Sequence, residues 1–136
     1  MKEITLEARI ENLPTLIGFV DEFLEEHECS MKAQMQIDVA VDEIFTNISS
    51  YAYPQSVGNA TLTISMDDSS TKAEITFIDS GIPYNPLEKE DPDVTLSAEE
   101  RQIGGLGIFM VKKSMDEIDY EYKDGHNILK IGKHIK

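Results

Sequence analysis

Residues 41–54 read VDEIFTNISSYAYP, and whether this stretch is helix or strand decides the fold. Ile37, Val41, Ile44, Ile48 and Tyr51 recur at the three- and four-residue intervals of a helix turning about 100° per residue. The spacing predicts a helix from about Ser30 to Ala52, stopped before Pro54, with that apolar face pressed on a sheet. The same helix carries Glu43 and Asn47 one turn apart on a flank of the stripe. The edge of a helix-on-sheet layer is where a cleft can open. A carboxylate there can handle a proton, and a side-chain amide oxygen can be one ligand of a hard cation such as Mg²⁺. Standing alone, the pair reads first as ordinary boundary residues, because Glu-x-x-x-Asn is a common spacing.

Outward from this helix, the chain alternates between the two periods of regular structure. Ile4, Leu6, Ala8 and Ile10 fall on one face of a strand over residues 3–10. Asn12 and Pro14 then mark a helix start, followed by Leu16, Ile17, Val20, Phe23 and Leu24 at helical spacing. Leu62, Ile64 and Met66 alternate, as do Ala73, Ile75 and Phe77, with the turn cluster DDSST between them. Residues 80–105 read as one long loop, and loops of that length in compact domains are commonly functional lids or disordered. A third helix is expected from near Gly107 to just before Asp116. Two last strands, around Ile118–Tyr122 and Leu129–Ile131, are joined by KDGHN, where Asp-Gly is a strong hairpin signal. The order β-α-α-β-β-lid-α-β-β predicts an α/β two-layer sandwich: one mixed, mostly antiparallel sheet covered on one face by helices.

With 136 residues, the chain is expected to be one domain spanning 1–136, long enough to bury a core without staples. It has no run approaching the roughly 20 apolar residues of a membrane span, and MKEITLEARI lacks a signal-peptide core. A cytoplasmic location is the expectation. Cys29 is the only cysteine, so no intrachain disulfide or cysteine metal cluster forms, and it reads as a spare thiol. His27, His126 and His134 share no metal-ligand spacing and read as surface or loop residues. The net charge of −14 repels phosphate backbones and anionic lipid, which argues against nucleic-acid and membrane partners. A bound polyphosphate would have to be held by local dipoles and a cation against that field.

Two further segments carry chemistry. In FIDSGIPYNPL, residues 77–87, Asp79 ends an apolar strand and Gly81 follows two residues later. A carboxylate at a strand end can accept a hydrogen bond from an exocyclic amine such as that of adenine, and a glycine beside it lets a flat ring approach the backbone. The same residues also make an ordinary strand-ending turn. In GGLGIFMVKKSMD, residues 104–116, Gly104, Gly105 and Gly107 precede a helix. Glycines there expose consecutive backbone N–H groups, and a helix N-terminus favours phosphate. The Gly-Lys-Ser/Thr ending of a Walker loop and the G-x-G-x-x-G spacing of a dinucleotide site are both missing, and a hinge with an N-cap accounts for the glycines equally well. Taken in order, a cation ligand, an adenine acceptor and a phosphate-binding turn assemble a site for adenosine triphosphate.

On these residues the chain resembles the Bergerat-fold ATPases, the superfamily of gyrase B, histidine kinases and MutL, and most closely the small anti-sigma-factor serine/threonine kinases. DEIFTNISSYAYP is similar to that branch's first motif, DSGIPYNPL to its Asp-x-Gly-x-Pro-aromatic-Asp/Asn-Pro motif, and GGLGIFMVKKSMDEIDYEYKDGHNILKI to its glycine motif, helix and final hairpin. The resemblance implies ATP and Mg²⁺ as cofactors and an ATP lid at about residues 82–103. It implies Glu43 as general base on the attacking hydroxyl and Asn47 as the Mg²⁺ ligand. Asp79 would receive the adenine amine with Gly81 supporting the ring. Gly105, Leu106 and Gly107 would offer backbone to the phosphates, and Gly104 would let the lid turn. It implies, as partners, a sigma factor or a small STAS-domain antagonist (an anti-anti-sigma protein) phosphorylated on serine or threonine, and in many members a homodimer. The chain departs from the pattern at Tyr51, where many relatives have His, and at Lys130, where Thr is common. Arg101 is separated from the glycine motif by Gln102 and Ile103. Three functions follow: transfer of the γ-phosphoryl of ATP to a partner hydroxyl; a nucleotide-dependent protein-binding module with little turnover; and phosphorylation of histidine in trans.

Overall fold

The computed structural model describes residues 1–53, 57–85 and 105–136; the side chains of 105–107 and the segment 86–104 lie outside the description, and with them most of the expected lid. Five strands form one sheet: β1 (Lys2–Glu7), β2 (Asn59–Met66), β3 (Lys72–Asp79), β4 (Glu117–Lys123) and β5 (His126–His134). Their spatial order is β1-β2-β3-β5-β4. The mostly antiparallel sheet expected from the sequence is antiparallel at each of its four pairings. Two tight hairpins explain part of this. The β2–β3 turn is closed by the Asp67 carboxylate, which accepts the amides of Thr71 at 2.9 Å and Lys72 at 3.0 Å. The β4–β5 turn places Asp124 and Gly125 at φ 53° and 79°, the left-handed pair that a two-residue hairpin loop requires.

Helices α1 (Leu13–Glu26), α2 (Met31–Asn47) and α3 (Gly105–Ser114) contribute to one core on a single face of the sheet. Pro14 sits in the first turn of α1, where its missing N–H costs nothing. Asn12 precedes that turn without capping it; its Nδ2 donates back to the Glu7 carbonyl at 2.9 Å. Ser30 does cap α2, its Oγ accepting the Ala33 amide at 3.2 Å. The first strand ends earlier than its alternation suggested, and Ile10 enters a short 3₁₀ turn, Ile10–Asn12, where it is exposed.

The core follows the two periods. Leu16, Val20, Phe23 and Leu24 of α1 and Ile37, Val41, Ile44 and Phe45 of α2 are buried against Leu62 and Ile64 of β2, Ile75 and Phe77 of β3, and Leu129 and Ile131 of β5. Each such side chain contributes about 1.5–3 kcal/mol of burial. One expected member is missing. Tyr51 is exposed and Ala52 is buried in its place. The reason is local: Ile48–Ala52 is a single π-helical turn, and its wider winding rotates the positions after Ile48 away from the α-helical wheel.

Candidate active site

The alternation that buries the sheet face continues past its apolar residues. Ala73, Ile75 and Phe77 point into the core, so Asp79, the next residue in phase, does too, and it is buried. On β5 the same phase runs back from Ile131 and Leu129 to Asn127. Asp79 and Asn127 are directly paired across the two strands. Asn47, at the last turn of α2, is the third buried polar side chain among the described residues. The three line one hollow that opens to solvent, together with Ile44, Ile48, Phe77, Tyr84, Ile108 and Leu129. The segments around residues 47 and 79 therefore converge on a common cavity, and Ile108 brings the first turn of α3 to its wall.

Asp79 is held by two donors on one oxygen. Its Oδ1 accepts the Gly81 amide at 2.9 Å and Nδ2 of Asn127 at 2.9 Å. The described contacts leave Oδ2 to the hollow. Asn47 lies one turn beyond Glu43, and its Nδ2 approaches Glu43 Oε1 at 3.5 Å, a long contact that turns the amide nitrogen toward the carboxylate. The amide oxygen of Asn47 is then the end available to a cation. This donor set fits Mg²⁺ carried by a polyphosphate, an ion that keeps most of its oxygen ligands from water and phosphate and needs only one or two from protein. The apolar walls formed by Ile44, Ile48 and Phe77, with a carboxylate oxygen at one end, likewise fit a flat purine bearing an amine.

Gly81 is glycine for a reason other than the one its sequence context suggested. A Cβ there would stand 2.2 Å from the Ala52 carbonyl oxygen and 2.5 Å from the Ala52 Cβ. The close approach is that of the β3 exit to the π turn, and it is fixed by the Ile82 amide donating to the Ala52 carbonyl at 2.9 Å. Tyr53 ties the same corner. Its hydroxyl accepts the Ser80 amide at 2.9 Å and donates to the Asn59 carbonyl at 2.7 Å, while its ring occupies the space a Cβ of Gly58 would need. Burial pushes the Tyr53 phenol above its ordinary value, the Ser80 amide partly offsets this, and the Asp79 charge adds to the rise. The phenol therefore stays a neutral donor.

Of the residues expected from sequence, Asn47 and Asp79 face the hollow, Glu43 is one helical turn from Asn47, and Gly81 braces the corner below Asp79. Gly105, Leu106 and Gly107 form the first turn of α3, which begins two residues earlier than expected. Gly104, Arg101 and residues 86–103 of the lid expected over about 82–103 lie outside the described residues. Lys130 does not bear on the site: it points to the opposite face of the sheet, where its Nζ pairs with Glu74 at 2.5 Å. Phe77, Tyr84 and Tyr120 all line the hollow, and Tyr84 stacks at a tilt on Tyr51 with ring centroids 5.7 Å apart. Asn127 was missed. Its signal was available, because the Leu129–Ile131 alternation extended backward places it on the core face, where an amide requires an explanation.

Among the described residues no group of three or more His, Cys, Asp or Glu side chains is arranged to hold a metal ion, and no helix is long and apolar enough to cross a membrane. Cys29 is partly buried, and burial with the nearby Asp38 and Asp21 charges pushes its thiol up, consistent with an unreactive thiol.

Comparison with known proteins agrees with this fold. The chain is 24% identical over 105 residues to the serine/threonine-protein kinase BtrW of Bordetella bronchiseptica, covering 77% of this chain and 73% of that protein. It is 28% identical over 95 residues to the serine-protein kinase RsbW of Bacillus mycoides, spanning 67% of this chain and 58% of the relative. Among solved structures it superposes on the RsbU and RsbW domains of a Mycobacterium tuberculosis protein with a TM-score of 0.64 at 13% identity, covering 99% of this chain and 33% of that one. It also matches the histidine kinase domain of a blue-light-activated kinase from Erythrobacter litoralis, with a TM-score of 0.55 at 18% identity over 76% of this chain and 45% of the other. At those identities the structures speak to the fold alone. The model of the histidine kinase-like ATPase domain matches residues 6–133, nearly the whole sheet and all three helices. A helix-covered antiparallel sheet with buried Asn47 and Asp79 on one hollow, matched over that span, makes this chain a member of the histidine kinase-like ATPase domain family.

Proposed function

We propose that the chain binds ATP with Mg²⁺ in the hollow and acts as a serine/threonine protein kinase of the anti-sigma type. In this reading it phosphorylates a hydroxyl of a small STAS-domain antagonist and regulates a sigma factor by exchanging one partner for the other, in the cytoplasm. The observation that carries the reading is the meeting of Asn47 and Asp79 on one apolar-walled hollow, with Glu43 one turn before Asn47. The names of the Bordetella and Bacillus relatives support the kinase class.

The nucleotide supplies a transferable γ-phosphoryl group, and its magnesium neutralises charge on the phosphates. The chain supplies position. Asp79 accepts the purine amine through Oδ2, and Ile44, Ile48 and Phe77 sandwich the ring in a dry slot. Asn47 offers its amide oxygen to the cation. Glu43, beside Asn47 and only half-buried, takes the proton from the attacking hydroxyl. The backbone of Gly105–Gly107 lies at the N-terminus of α3, where the helix dipole favours the phosphate chain. A second reading, a nucleotide-dependent binding module with little turnover, is favoured by the two residues that part Arg101 from the glycine motif.

Calorimetry with ATP and Mg²⁺ tests the site. A wild-type signal lost in Asp79→Asn supports it, and wild-type protein without a signal refutes it. Incubation with labelled ATP and candidate STAS-domain proteins separates kinase from binding module. Glu43→Ala is expected to keep ATP binding and lose acid-stable phosphotransfer, and equal transfer by both proteins removes Glu43 from the base role.

A further inference from the structure

Asn127 makes four hydrogen bonds, which is the whole capacity of its amide as donor and as acceptor from two partners. Nδ2 donates to Asp79 Oδ1 at 2.9 Å and to the Ile82 carbonyl at 2.9 Å. Oδ1 accepts the Tyr84 amide at 3.2 Å and the Tyr120 hydroxyl. The two donors facing Oδ1 and the two acceptors facing Nδ2 admit only one orientation of the amide. The side chain is buried, and the four partners come from β3, from the backbone leaving β3, and from β4.

We propose that Asn127 is the positioning residue of the base pocket: it turns Asp79 so that Oδ2, not Oδ1, faces the purine, and it binds that carboxylate and the backbone at Ile82 and Tyr84 into one unit. The inference rests on the reading of the hollow as a nucleotide site and adds what selects the base. With Oδ1 occupied by the Gly81 amide and Asn127, Asp79 presents a single acceptor of fixed direction. A purine with an amine at position 6 satisfies it. A purine with a carbonyl there sets acceptor against acceptor and is rejected. A freely rotating Asp79 would discriminate less, because its carboxylate could turn away from the mismatch.

Asn127→Asp isolates this role. The replacement has the same shape and still accepts from Tyr84 and Tyr120, but it faces Asp79 Oδ1 and the Ile82 carbonyl with an acceptor in place of a donor. Calorimetry with Mg-ATP and Mg-ITP on wild type and variant is the measurement. Wild type should prefer ATP. The variant should bind ATP at least about tenfold more weakly near neutral pH and lose most of its preference over ITP, an effect of the size expected for reversing a buried hydrogen bond. Relative to wild type at the same pH, its ATP affinity should partly recover toward about pH 5, where the new carboxyl, pushed up by burial and by the facing Asp79 charge, begins to hold a proton it can donate. A merely structural role predicts weaker folding without a changed base preference and without that recovery. Asn127→Ala, which buries no new charge, is the second variant should Asn127→Asp fail to fold, and it should also narrow the ATP-to-ITP ratio. Wild type that binds ATP, with either folded variant keeping the wild-type ratio, overturns the assignment of Asn127 and leaves the nucleotide reading standing. Wild type that binds neither nucleotide overturns both.

Discussion

Asp38 on α2 and Asp21 on α1 lie close enough for their carboxyl groups to share a hydrogen bond once one of them holds a proton. Their Oδ1 atoms are buried, and among the described residues neither has a conventional donor. Burial, then the bond and charge of Asp21, then the charge of Glu25 push Asp38 up from the ordinary 3.8 to about 8. The Cys29 thiol, itself pushed up, faces the same cluster. The direction for stability follows from linkage. The folded state holds a proton that the unfolded chain releases near pH 3.8, so the contribution is full below that value and is lost as pH rises through about 8. Each pKa unit is worth about 1.4 kcal/mol, but both side chains are partly exposed and solvent screens the pair, so about 1–2 kcal/mol survives. Asp38→Asn supplies a permanent donor to Asp21. It should leave stability near pH 5 almost unchanged and raise it near pH 9 by that amount, about 3–8 °C in melting temperature for a domain of this size. Thermal unfolding followed by circular dichroism across that range is the assay. Glu22→Gln, which removes one exposed charge from the same helix, controls for the general field. Parallel pH slopes for wild type and Asp38→Asn would refute the shared proton.

Gly81→Ala should cost about 2–4 kcal/mol in urea unfolding, because its Cβ falls 2.2 Å from a backbone oxygen and breaks the Ile82–Ala52 hydrogen bond; a loss under about 1 kcal/mol would show that the corner yields easily. Tyr53→Phe strips the hydroxyl that joins Ser80 to Asn59 and should cost about 1–2 kcal/mol with an unchanged urea slope. The same change should leave the far end of the sheet untouched, so amide exchange should quicken at Ser80 and not at Thr71 or Lys72.

Much of this architecture was legible because period and turn chemistry are local. The helical stripe from Ile37 to Ile44, the alternations on β2, β3 and β5, and the Asp-Gly turn each declare themselves within a dozen residues. Where the reading slipped, the cause was a feature that no short window contains. Tyr51 left the core because one π turn rewinds the helix end. The need for Gly81 lies at Ala52, which is distant in sequence. Lys130, which departs from the Thr common in the family, bears on no site because its phase on β5 sends it to the other face.

Read alone, the sequence singled out the residues proposed for nucleotide chemistry, namely Glu43, Asn47, Asp79 and Gly105 and Gly107 at the start of α3, and the layer they belong to. Only the tertiary structure decided what they do to one another. Pairing β3 with β5 sets Asp79 opposite Asn127, and that register fixes which carboxylate oxygen is tied to the protein and which is left to the hollow. The physical reason is range: propensity and periodicity act over one or two turns, whereas the direction of a buried donor is set by whichever strand the sheet brings alongside it.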